Sequence, residues 1–178
     1  MRAKEPQARA RKTIDPVLFR AAMGSFASGV TVVGVEVEGE VHGMTANAFM
    51  SGSREPPLCV VSVAKRARTH ALVAKAERFG VSILAADQEP LARHFSGRLV
   101  REAKFAFETV EGAPLLKESC ARIATKLVGA HDCGDHTLYV GEILALEVAD
   151  RPPLLYHRGA FRQFSPRASA GTPAPDFW

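Results

Sequence analysis

Apolar residues along this chain fall in short runs that mostly step with a period of two, the spacing of strands, and three stretches step like helices instead. Asp15-Pro16 opens the first of these, because Asp accepts from free N–H groups and Pro fits the first helical position without losing a hydrogen bond. Phe19, Met23 and Phe26 follow at spacings of four and three on one face, and the helix is expected to end near Gly29. The β-branched run Val30 to Val37 meets a turn at Glu38-Gly39-Glu40 and returns as a central strand, which makes a hairpin. Pro56-Pro57 marks an edge or loop, after which Leu58 to Val63 is expected as a buried strand. Ala71 to Ala74 is helical and Phe79 to Leu84 is a strand. Asp87 to Phe95 is a helix with Pro90 in its first turn, closing at Gly97. Residues 98–114 are mixed and loop-like, with Phe105 and Phe107 on one phase. Cys120 to Val128 alternates, His131 to Gly134 turns, and Thr137 to Val148 forms a second long strand, giving a second hairpin. Hairpins with few helices imply a mainly β, antiparallel domain whose edges need closure, and a small barrel supplies it.

The central stretch Gly43 to Ser53 breaks the usual alternation. Met44, Ala46, Ala48 and Met50 fill one phase while Thr45, Asn47 and Ser51 take the other. Extended backbone with short hydroxyl and amide side chains lets a ligand approach the main chain and offers both donors and acceptors, which suits a flat heterocycle with an imide edge. The same pattern also describes an ordinary strand with a polar outer face.

The bulk properties narrow the field. At 178 residues one well-buried core is expected, with 47% hydrophobic and 24% charged residues. Of the net charge of +4, the first twelve residues hold five bases and one acid, leaving 18 of each sign in the rest. The body is neutral, so a basic nucleic-acid-binding face is not expected, and no apolar run is long enough for a membrane span. Three cysteines, Cys59, Cys120 and Cys133, are an odd number in apolar context, which suggests reduced thiols and a cytoplasmic protein. The basic start, residues 1–13, and the Pro/Ser/Ala-rich end, residues 165–178, read as tails around one domain spanning 14–164.

Two further stretches could carry chemistry. Lys65-Arg66-Ala67-Arg68-Thr69-His70 precedes a helix, where free N–H groups and cations together suit a phosphate; as a charge run it also suits plain solvated surface. His131-Asp132-Cys133-Gly134-Asp135-His136 gathers possible metal ligands, but lacks the paired spacing of a structural zinc site, so no metal is expected; a turn tied down by Asp135 is the simpler reading. Neither G-x-G-x-x-G nor G-x-x-x-x-G-K-[ST] occurs, and no Ser-His-Asp or Cys-His set stands out.

Residues 43–63, GMTANAFMSGSREPPLCVVSV, resemble the signature segment of the flavin reductase family. In order along the chain, Phe19 to Val33, Phe79 to Leu84, Cys133 to His136 and Leu155 to Gly159 resemble other blocks of that family, so the resemblance covers about residues 15–164. It implies a Greek-key split β-barrel of about six antiparallel strands with peripheral α-helices, and a homodimer with the flavin near the subunit interface. It further implies NAD(P)H-dependent reduction of FMN or FAD, with NADH or NADPH as co-substrate, and delivery of reduced flavin to a flavin-dependent monooxygenase. For the flavin it points to Thr45, Ala46, Asn47, Ser51, Ser53, Ala64, Lys65, Arg68, Thr69 and Ser82, the 65–69 loop meeting the phosphate end. For the nicotinamide it points to Gly134, Asp135 and His136, joined by Tyr156, His157 and Arg158 from the C-terminal side. Hydride transfer needs positioning and no nucleophile, so no catalytic residue is expected. Gly52 stands where a larger residue is usual in the family. The alternatives are a non-catalytic flavin-binding module on the same fold and an oxidase like the pyridoxamine-phosphate oxidases, which share the barrel.

Overall fold

The computed structural model describes residues 13–164 apart from 99, 101 and 102; the two tails read from the sequence lie outside the described residues except for Thr13. Asp15 caps helix α1 (Pro16–Gly24), its Oδ1 accepting from the Val17 N–H at 2.8 Å. The helix ends at Gly24, five residues before the glycine expected to stop it, because the N–H groups of Ser25 and Phe26 turn back onto Ala22 and Met23. No residue of α1 is buried, and Phe19, Met23 and Phe26 are 53%, 58% and 81% exposed.

After the short β1 (Ser28–Gly29), β2 (Thr31–Val37) begins with five consecutive buried residues and turns through Glu38 and Gly39, both at positive φ, into β3 (Glu40–Ala46). There follow β4 (Phe49–Ser53), β5 (Leu58–Ala64), helix α2 (Arg68–Lys75) and β6 (Arg78–Ile83). A single 3₁₀ turn at Ala86–Gln88 leads into α3 (Glu89–Phe95). Next come β7 (Phe107–Val110) and β8 (Ala113–Leu116), then the long hairpin of β9 (Ala121–Cys133) and β10 (His136–Val148), and finally β11 (Leu154–His157) and β12 (Ala160–Gln163). Two sequence expectations change here. The loop-like stretch 98–114 contains a strand and starts a hairpin, built on a Glu111–Gly112 turn at positive φ and carrying the wholly buried β8. The turn expected at His131–Gly134 is confined to Gly134 and Asp135, since pairing between the long strands runs on to Cys133 opposite His136.

Seven strands form the main sheet in the order β3-β2-β6-β9-β10-β5-β4, every pair antiparallel, where about six were expected. Its two edge strands, β3 and β4, are consecutive in the chain and separated only by Asn47 and Ala48. Two intervening residues reach about 11 Å at most, so the sheet has to curl until its edges meet. The fold is therefore a mainly β, Greek-key split barrel with peripheral helices. Alternation along β5 sends Cys59, Val61 and Val63 inward against Val33, Val35, Phe79, Val81 and Tyr139. The β7–β8 hairpin lies on the barrel where Gly34 and Gly80 pair, and a Cβ on Gly34 or Gly80 would come 2.5 or 2.2 Å from the Pro114 carbonyl oxygen. Among the described residues no helix is long and apolar enough to cross a membrane.

Candidate functional site

The stretch expected to run as one central strand is two strands at opposite edges of the sheet, and its break at Asn47–Ala48 is the corner that closes the barrel. Three hydrogen bonds hold the corner. Thr45 Oγ1 donates to the Ala92 carbonyl at 2.7 Å and Thr31 Oγ1 donates to the Ala46 carbonyl at 2.8 Å. The Ser62 N–H donates to the Ala48 carbonyl at 2.9 Å. Asn47 projects from this rigid corner, exposed, with only a long 3.4 Å contact from its Nδ2 to Ser28 Oγ. Ser51 and Ser53 lie farther along edge strand β4, opposite Cys59 and Leu58 and on either side of a bulge at Gly52. Ser53 Oγ accepts from the Glu55 N–H at 3.2 Å.

The end of β5 joins this corner to the turn of the long hairpin. Ala64 lies directly opposite His136, and the Lys65 N–H donates to the Asp135 carbonyl at 2.9 Å. Gly134, at φ 62°, supplies the left-handed residue that the tight turn needs. The His136 ring bonds through Nδ1 to Asp135 Oδ1 at 2.8 Å, and this bond and charge hold the exposed Asp135 carboxyl below the usual carboxylate range. Residues 45–48, 62–65 and 134–136 thus occupy one rim of the barrel, although about ninety positions separate the first from the last.

Three of the expected site residues, Lys65, Thr69 and Ser82, sit differently from the sequence reading, and Arg68 sits as expected. Lys65 Nζ already pairs with Asp132 Oδ1 at 2.5 Å. Thr69 is 8% exposed and its Oγ1 is 2.8 Å from Met44 Sδ, so it packs α2 onto the barrel. Arg68 is exposed as the first residue of α2, whose cap residue Ala67 makes no side-chain bond. Ser82 is 1% exposed inside β6, and its Oγ accepts from the Leu116 N–H at 2.9 Å. As a side-chain ligand contact Ser82 is corrected: it fastens the β7–β8 hairpin to the barrel.

Two open grooves, of about 610 and 700 Å³, meet at Asn47, Tyr156 and Gly159. Along the first lie Thr45, Phe161, Arg93, Arg98 and Arg162; along the second lie Arg20 and Arg158 beside α1. Tyr156 and Phe161 pack edge to face with centroids 5.7 Å apart, and the Arg93 guanidinium stands 5.1 Å above the Phe161 ring while bonding Glu89. Of the C-terminal residues read from the sequence, Tyr156 and Arg158 line these grooves and His157 lines neither. The Arg158 N–H donates to the Gly24 carbonyl at 2.9 Å, docking the end of α1. Sequence reasoning missed Arg93, Arg98, Phe161 and Arg162. Arg93 looks like any helix-surface arginine and the other three fall in segments without a motif, so nothing local marks them.

The sequence profile of the "Flavin reductase like domain" matches residues 23–165. An NADH-dependent flavin reductase from Rhodococcus sp is 43% identical over 152 residues, covering 84% of this chain and 86% of its own. The reductase component of 4-hydroxyphenylacetate 3-monooxygenase from Thermus thermophilus is 38% identical over 146 residues, covering 82% of this chain and 94% of its own. The solved structure of the flavin reductase PheA2 in its native state superposes with a TM-score of 0.83 at 40% identity, covering 86% of this chain and all of that one. Fold and sequence agree, and the chain belongs to the flavin reductase family.

Proposed function

We propose that this chain is an NAD(P)H:flavin oxidoreductase that reduces FMN or FAD and passes the reduced flavin to a separate monooxygenase. The observation that carries the reading is the rim itself, where the Asn47 corner, the end of β5 and the Gly134-Asp135-His136 turn adjoin. A flavin fits these residues. Asn47 presents an exposed amide with donor and acceptor for an imide edge, and the groove of about 610 Å³ beside it, a size usual for such ligands, combines Tyr156 and Phe161 with cationic groups. When both nucleotides are bound, hydride passes from nicotinamide C4 to flavin N5, chemistry that the cofactors carry. The protein's part is placement. Thr45 and Thr31 hold the corner still, and Asp135 orients the His136 imidazole so that it meets the nicotinamide side of the site. Monooxygenase delivery is supported by the Thermus relative, which is the reductase component of a monooxygenase.

The active form is a homodimer. Helix α1 buries none of its residues and shows Val17, Leu18, Phe19 and Met23 to solvent, apolar surface of which the Phe19 and Met23 side would be covered by a second copy beside the groove that these two line with Asn47. Free thiols at Cys59, Cys120 and Cys133 support a cytoplasmic setting. The test is steady-state NADH and NADPH oxidation with FMN, FAD and riboflavin as acceptors; a pure protein that oxidises neither co-substrate with any flavin overturns the reading.

A further inference from the structure

Groove one carries more positive charge than an isoalloxazine needs. Arg93, Arg98 and Arg162 line it, and Glu89 is the single carboxylate within 4 Å of any of the three among the described residues, paired with Arg93. Arg98 and Arg162 are exposed; among the described residues neither forms an ion pair, and Arg162 donates from Nη1 to the Phe161 carbonyl at 3.2 Å. The carbonyl end of α3, which would repel an anion, is internally satisfied, since Ser96 Oγ and the N–H groups of Ser96, Gly97 and Arg98 donate to Arg93 and His94. Phe161, capped by Arg93, adds an aromatic surface to the groove that these charges share with the Asn47 corner. Meanwhile Lys65, the lysine that the sequence suggested for a phosphate, is neutralised by Asp132.

We infer that Arg98 and Arg162 form a subsite for the adenosine diphosphate arm of a dinucleotide whose ring lies toward Asn47. Two guanidinium forks suit a pyrophosphate by bidentate, charge-assisted hydrogen bonds, and an aromatic and guanidinium surface suits adenine. The arm belongs either to NADH or to FAD, which share it. This inference rests on the reductase reading for the identity of the ligand but not for its test.

The experiment titrates the full-length protein with ADP by calorimetry, wild type beside Arg98→Ala/Arg162→Ala, both checked for fold by circular dichroism. Loss of two charge-assisted contacts should weaken ADP binding by roughly 10- to 100-fold, and Arg98→Lys/Arg162→Lys should recover part of it while restoring charge without the fork. Wild type that does not bind ADP, or a folded double variant that binds it unchanged, overturns the subsite. Steady-state kinetics then assign the arm. A rise in KM for NADH with that for reduced nicotinamide mononucleotide moved far less assigns it to NADH; a rise for FAD and not for FMN assigns it to FAD. Neither rise, in an active variant, also overturns the inference. Wild type that binds ADP but oxidises no NADH with any flavin overturns the reductase reading alone.

Discussion

Ser82→Ala separates what the fold does with this residue from what a flavin would. Ser82 lies in β6 with 1% of its surface exposed, and its Oγ accepts the Leu116 N–H at 2.9 Å from the β7–β8 hairpin. Removing the hydroxyl leaves that donor inside the protein and opens a gap too small to hold water, a loss of about 1–3 kcal/mol for an unmet buried polar group. For a domain of this size each kcal/mol moves Tm by about 2–4 °C, so the variant should melt roughly 2–12 °C lower. Flavin affinity of the folded variant should stay within about twofold of wild type, because the side chain faces the hairpin and not the rim. Scanning calorimetry gives the first quantity and flavin fluorescence titration the second. An unchanged Tm together with a tenfold weaker flavin Kd would show that Ser82 belongs to the ligand site and that the hairpin contact carries no stability.

Asn47→Leu, which replaces the exposed amide at the barrel corner, should weaken flavin binding by about 1–3 kcal/mol, or roughly 5- to 150-fold; an unchanged fluorescence titration with folded variant sinks the assignment. His136→Ala should lower kcat/KM for NADH roughly 10- to 100-fold and leave flavin affinity nearly alone, read by stopped-flow reduction of flavin-saturated protein; a wild-type rate removes His136 from the site. Burial pushes the Cys59 thiol from 9.0 up to about 11. The raised value favours the protonated thiol in the folded state, so its stabilisation is whole below pH 9 and is lost as the pH rises toward 11. Denaturant unfolding should show wild type losing roughly 2–3 kcal/mol more stability across that window than Cys59→Ala loses; parallel profiles refute it. Light scattering at micromolar concentration should give twice the monomer mass, and a monomer removes the cover proposed for α1.

Much of this protein is written locally. Asp15-Pro16 caps α1, Glu38-Gly39 turns β2 into β3, and β5 alternates inward and outward as its residues dictate, because each feature depends on neighbours within a few positions. The Gly134-Asp135-His136 turn is legible for the same reason: a left-handed glycine and a short bond between neighbouring side chains shape it. What the sequence hid depends on which strand ends become neighbours. Thr45, Asn47 and Ser51 alternate as though on one strand, and only closure of the seven-stranded sheet puts β3 and β4 at opposite edges with Asn47 at the joint. Ser82 and Thr69 carry the same hydroxyls as exposed residues, and their burial comes from a hairpin and a helix packing from elsewhere in the chain. The arginine-lined groove is the extreme case. Arg93, Arg98 and Arg162 span seventy positions, and their charges share one space only because α3 and β12 fold against the same corner. Propensity and pattern act over a turn or two, whereas a binding groove is a relation between distant segments that the closed barrel alone creates.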